Sequence, residues 1–182
     1  MKPLRIARLI LIGLIVAACG ETAAPSPSPS PVALGDNCLV GRWVETKQFS
    51  PGNFGLGTGE RFTVTGLEGF VITFAGDGTE TDDYKDARPL NGGWRGNQIQ
   101  IVITGSITYQ DHADRGFILQ SKPVGSPAVA YYANNAPMSG GTSSASFAPA
   151  NISYTCAGGF LHLETQSLVR GYGPTTDDLT RS

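Results

Sequence analysis

From Leu39 to the C-terminus, apolar residues alternate with polar or small ones in short runs and do not recur every three or four positions. A period of two places successive side chains on opposite faces of an extended chain, so this pattern specifies strands with one buried face and argues against amphipathic helices. No helix is predicted in this part of the sequence. Glycine supplies 24 of the 182 residues, which suits a chain that turns often.

Candidate strands run over Leu39–Phe49, Arg61–Thr65, Gly69–Ala75 and Thr79–Tyr84. Gly76-Asp77-Gly78 joins the last two as a hairpin turn, and Phe70, Ile72 and Phe74 share one face. Gly93–Asn97 reads as a turn, followed by a half-buried strand over Gln98–Thr104 with Ile99, Ile101 and Ile103 on a common side. Ser106–Gln110 and Gly116–Lys122 read as a further pair, connected by a polar turn at Asp111–Asp114. Between Pro123 and Pro149 the chain becomes Ala, Ser, Gly and Asn, a long loop or weak edge strands around Val129–Tyr132 and Ser144–Phe147. Asn151–Ala157 and Phe160–Gln166 form the clearest hairpin, with Ile152, Tyr154 and Cys156 on one face and His162 on the opposite face of the return strand. A short strand over Asp178–Arg181 closes the chain. About eight to ten short antiparallel strands predict an all-β fold, an antiparallel β-barrel, with a β-sandwich as the alternative. Few lysines guard the strands, which favours closure.

The N-terminus carries a different message. Lys2, Arg5 and Arg8 precede an apolar run from Leu9, which ends at Val16-Ala17-Ala18-Cys19. That order is the pattern of a bacterial lipoprotein signal peptide, and the run falls short of the roughly 20 residues a bilayer span requires. Residues 1–18 are therefore expected to be removed and Cys19 to carry lipid. The chain would then be extracytoplasmic, anchored to the cell membrane or the outer membrane. Gly20 stands where some inner-membrane lipoproteins have an acidic residue. Residues 19–36, rich in alternating Pro and Ser, read as an extended tether, and residues 37–182 as one domain.

With Cys19 assigned to lipid, Cys38 and Cys156 remain, and an even remainder in an exported protein argues for a disulfide over free thiols or a metal site. No CxxC occurs, and His112 and His162 sit in no ligand spacing.

Without residues 1–18 the chain carries ten basic and fifteen acidic side chains, net −5, and no basic run. Such a surface repels phosphate backbones, so nucleic acid is not an expected partner. Neither a Gly-x-Ser-x-Gly elbow nor a phosphate-cradling glycine loop is present. The acidic run Asp77–Asp86 lacks the glycine and glutamate of a calcium loop and reads as a solvated hairpin and loop. No catalytic residue, metal or cofactor is expected, and the chain reads as a non-enzyme.

Gly41-Arg42-Trp43 resembles the Gly-x-Trp that opens the first strand of lipocalins and related barrels, in which a basic residue near the C-terminus packs over the Trp. Arg181, in Leu179-Thr180-Arg181, stands in the matching place. A cation–π contact of about 0.5–2 kcal/mol could seal one barrel end there. The alternative leaves Trp43 as core and Arg181 as a solvated tail residue. Cys38–Trp43, Phe74–Thr79 and Tyr154–Leu161 are also similar to the lipocalin-like domains carried by some bacterial lipoproteins and, in actinobacteria, appended to serine/threonine kinases. The resemblance implies that Cys38 and Cys156 pair, and that the barrel holds a small hydrophobic ligand. Phe70, Ile72, Phe74, Ile99, Ile101 and Ile103 are the candidate lumen, although the same residues could simply be core. The competing expectation is a structural or interaction module that meets another envelope protein or a glycan through the Pro123–Pro149 segment with Tyr131 and Tyr132.

Overall fold

The structure, a computed structural model, describes residues 34–52, 62–144, 150–166 and 174–182. Cys19, the signal sequence and most of the tether lie outside the described residues.

The described chain is all-β. Its strands are β1 (Gly41–Gly52), β2 (Phe62–Gly66), β3 (Val71–Phe74), β4 (Thr79–Asp83), β5 (Leu90–Trp94), β6 (Asn97–Thr104), β7 (Ser106–Asp114), β8 (Phe117–Gly125), β9 (Ala128–Ala133), β10 (Ala136–Ser144), β11 (Asn151–Ala157), β12 (Phe160–Thr165) and β13 (Thr175–Arg181). Eight of them close into an antiparallel barrel in the order β1-β3-β4-β7-β8-β11-β12-β13, with β13 returning to β1. This closure is compatible with the lipocalin-like fold.

The remaining strands form a second antiparallel run, β2-β5-β6-β9-β10, that branches from the barrel wall. β1 makes the branch possible because it is long enough to serve two neighbours on one side. Gly41–Val44 pair with β3, whereas Gln48–Gly52 pair with β2. The register of β1 against β13 shifts between Glu45 and Lys47, where an extra residue bends the strand between its two partners.

Chain direction alternates round the ring, so β1, β4 and β8 all finish at one end. From that end depart the three excursions, β2, β5–β6 and β9–β10, which pair with one another. The opposite end is built from tight turns. There Gly78, Gly116, Gly158 and Gly159 take positive φ at no steric cost. The chain arrives at this end through residues 34–40. Leu34 and Leu39 are fully buried, and Leu34 is clamped between the backbones of Gly76 and Ala113 by hydrogen bonds of 3.2 and 2.8 Å. Residues 34–36, expected to belong to the tether, are thus part of the packed domain.

Several boundaries also move. Gly93 and Trp94 lie in β5 and not in a turn, and of the two readings of Pro123–Pro149 the strands hold. β9 covers Val129–Tyr132 and β10 is the edge of the second run, while residues 145–147 of the Ser144–Phe147 stretch lie outside the described residues. β7 continues through Asp114, so Asp111–Asp114 is strand and the turn falls at Arg115-Gly116.

Candidate functional site

Sealing of the turn end follows from β1 and β13. Trp43 and Arg181 are direct cross-strand neighbours, so both project to the same side. Trp43 is fully buried and its indole N–H donates to the Leu39 carbonyl at 2.7 Å. The Arg181 guanidinium lies 4.5 Å from the Trp43 ring centroid and donates to the carbonyls of Val40 at 3.1 Å and Cys38 at 2.7 Å. Gly41, at φ 141°, leaves room for that guanidinium: a Cβ there would stand 3.1 Å from Arg181 Nη1. The Cys38–Cys156 disulfide and the 2.6 Å hydrogen bond from the Tyr154 hydroxyl to Asp36 fasten the arriving chain to β11.

Above this plug the lumen is unexpectedly polar. Alternation in β4 sends Glu80 and Asp82 inward, and alternation in β7 sends Ile107, Tyr109, Asp111 and Ala113 inward. Glu45 from β1, Gln120 from β8 and Asp177 from β13 join them. Five carboxyl groups are therefore buried, while no Lys, Arg or His among the described residues is. The expectation of a solvated acidic hairpin is corrected for Glu80 and Asp82, which are 2% and 7% exposed, and that of a polar turn for Asp111, which is 1% exposed.

These carboxyls are unequally provided for. Gln120 donates to both oxygens of Glu80, at 2.9 and 3.0 Å. Gln48 donates to Asp177 at 2.5 Å. Glu45 Oε1 accepts from the backbone N–H groups of Lys47 and Asp178, whereas Oε2 has no partner. Asp82 Oδ1 and both oxygens of Asp111 also lack a donor.

Burial without counter-charge favours the neutral acid. Desolvation, reinforced by Asp177, pushes Glu45 up to about 9. Desolvation raises Asp177 to about 6 despite the amide of Gln48. Asp82 and Asp111 are held well above the carboxylate range, first by desolvation and then by the neighbouring Glu80, to which each can donate when protonated.

A cavity of about 270 Å³ opens beside this group, on the side toward the excursions. Its polar lining includes Asp82, Asp177, Tyr84, Tyr109, Gln48 and Gln120, with the hydroxyl residues Ser50, Thr165 and Thr175. Its apolar lining includes Phe70, Ile72, Leu67, Leu163 and Ile152 from or beside the ring, and Leu90 and Ile103 from the second run of strands.

Of the six expected lumen residues, Phe70, Ile72 and Ile103 line the cavity. Phe74 is buried at the turn end, opposite Gly41, and Ile99 and Ile101 are core residues of β6, outside the ring. Tyr131 and Tyr132 lie on β9, half-buried, and Tyr131 packs against the core. His162 faces outward and contacts Asp178 at 2.6 Å, and His112 is exposed on the outer face of β7.

A rule that turns every acidic residue to solvent hides these carboxyls. The signal was present: in Glu80/Asp82 and in Ile107/Tyr109/Asp111/Ala113 the alternation itself assigns the acids to the inner face. No protein family, characterised protein or solved structure matches the chain.

Proposed function

We propose that this chain is a lipid-anchored binding protein of the bacterial cell envelope, whose closed barrel holds one small molecule. The lumenal cavity carries this reading. At about 270 Å³ it lies just below the roughly 300–1,000 Å³ of pockets for drug-sized ligands, and it combines apolar walls with a few converging polar groups. A purely hydrophobic ligand would leave Asp82 and Asp177 facing apolar atoms, so the ligand has a polar end. The lipoprotein pattern ending at Cys19 and the Cys38–Cys156 disulfide support an extracytoplasmic position.

The test is ligand-observed NMR of a fragment library on the full, oxidised chain, repeated on Ile103→Trp, which fills the cavity from outside the ring. Saturable binding lost in the variant is expected. No binding, or binding that survives the filled cavity, would contradict the proposal. Cys19→Ser should release the chain from membranes.

An interaction role finds support on a different surface from the one expected. Phe117, Leu119 and Val124 on the outer face of β8 are 62%, 56% and 70% exposed. Crosslinking in intact cells that is unaffected by Phe117→Ser would remove this second reading.

A further inference from the structure

We propose that the lumen selects a small organic cation, an ammonium group carried on an apolar body, with Asp82 as its counter-charge. The inference rests on the reading of the cavity as a ligand site and names the chemistry of that ligand.

Asp82 lines the cavity and is 93% buried by its 7% exposure, yet its Oδ1 has no donor. Asp111, buried behind it, has no donor on either oxygen. Burial alone favours the protonated acid, and a cationic N–H donor is the partner that most stabilises the carboxylate in its place. The charged and titratable groups around this position are Glu80 on the same strand, Tyr84 beyond its end, Tyr109 and Asp111 on β7, and Asp177 on β13. None is cationic. Acids outnumber every other ionisable group here and no cation stands among them, so an anion entering the cavity would find no counter-charge.

The rest of the cavity selects the kind of cation. Tyr84 and Tyr109 are aromatic, and Phe70 stacks on Tyr84 with ring centroids 4.5 Å apart. Aromatic faces favour ammonium groups, and Ile72, Ile103 and Leu163 complete an apolar chamber for the ligand's body. A metal ion fits less well, because among the described residues no three His, Cys, Asp or Glu side chains converge as a metal-binding group.

The experiment compares phenethylamine with 2-phenylethanol, which share shape and differ in the cationic head, by titration calorimetry on the full, oxidised chain. The amine should bind at least about tenfold more tightly, the difference between a charged and a neutral hydrogen-bonding head in a buried site. Asp82→Asn, nearly isosteric, should bring the amine down to the affinity of the alcohol, with a melting curve confirming the fold. If that variant does not fold, Asp111→Asn should weaken the same preference.

Equal affinities for amine and alcohol would overturn the cation assignment while leaving a ligand-binding barrel. A preference untouched by both substitutions would overturn the role of these acids. If neither compound binds, the inference falls, and the fragment screen with Ile103→Trp decides separately whether the barrel binds anything.

Discussion

Gln120 reaches across from β8 and donates its side-chain N–H groups to both oxygens of Glu80, while its own carbonyl accepts the backbone N–H of Ala150 at 3.2 Å. One amide thus satisfies an acid on β4 and ties it to the start of β11. Gln120→Leu is predicted to destabilise the fold by about 2–3 kcal/mol, since it strands a buried acceptor and a backbone donor together. Glu80→Gln keeps an acceptor for Gln120 and removes one acid from the cluster, so it should cost under about 1 kcal/mol. Chemical denaturation of the two variants checks the contrast.

Stability should depend on pH in the direction opposite to that of most acidic proteins. Raised carboxyl pKa values mean that the folded state binds more protons than the unfolded chain, whose carboxyls titrate near about 4. The contribution is complete below about pH 4 and is lost as pH rises through the folded values, about 6 for Asp177 and about 9 for Glu45. Asp82 and Asp111 act in the same sense. Melting temperature should therefore fall from pH 5 to pH 9, as thermal melts at fixed ionic strength would show.

Arg181 closes the turn end with one cation–π contact and two hydrogen bonds to carbonyls. Arg181→Ala should cost about 1–3 kcal/mol, and Arg181→Lys should recover only part, because a point ammonium cannot serve the ring and both carbonyls together. Trp43→Ala, which empties a fully buried site and removes the indole donor, should cost about 3–5 kcal/mol. Urea titrations would rank the three.

Reduction of the Cys38–Cys156 bond, which spans 118 residues, should cost roughly 2–5 kcal/mol. The arriving segment should loosen first. Hydrogen exchange at the Leu34 and Ala113 amides would report it.

The fold class was legible because the ring strands alternate cleanly and carry few lysines at their edges, and the resemblance of Gly41-Arg42-Trp43 and Arg181 to the lipocalin pattern pointed the same way. β5 was not legible, because Gly92 and Gly93 imitate a turn. Gly92 is there for a different reason: a Cβ would stand 2.4 Å from the Thr63 carbonyl, so the close approach of β2 requires glycine. The branch at Glu45 leaves no local signal, since one strand serving two sheets looks like one long strand. The site was half legible. Phe70, Ile72 and Ile103 follow from periodicity, but the acidic floor conflicts with the rule that acids face water, and such conflicts concentrate at functional sites.

The most direct measurement is a native mass spectrum of the full chain, exported through a periplasm and gently purified. The expected result is the disulfide-bonded chain plus one releasable small molecule that carries a basic nitrogen. A bare chain that also takes up no added amine or neutral fragment would contradict it.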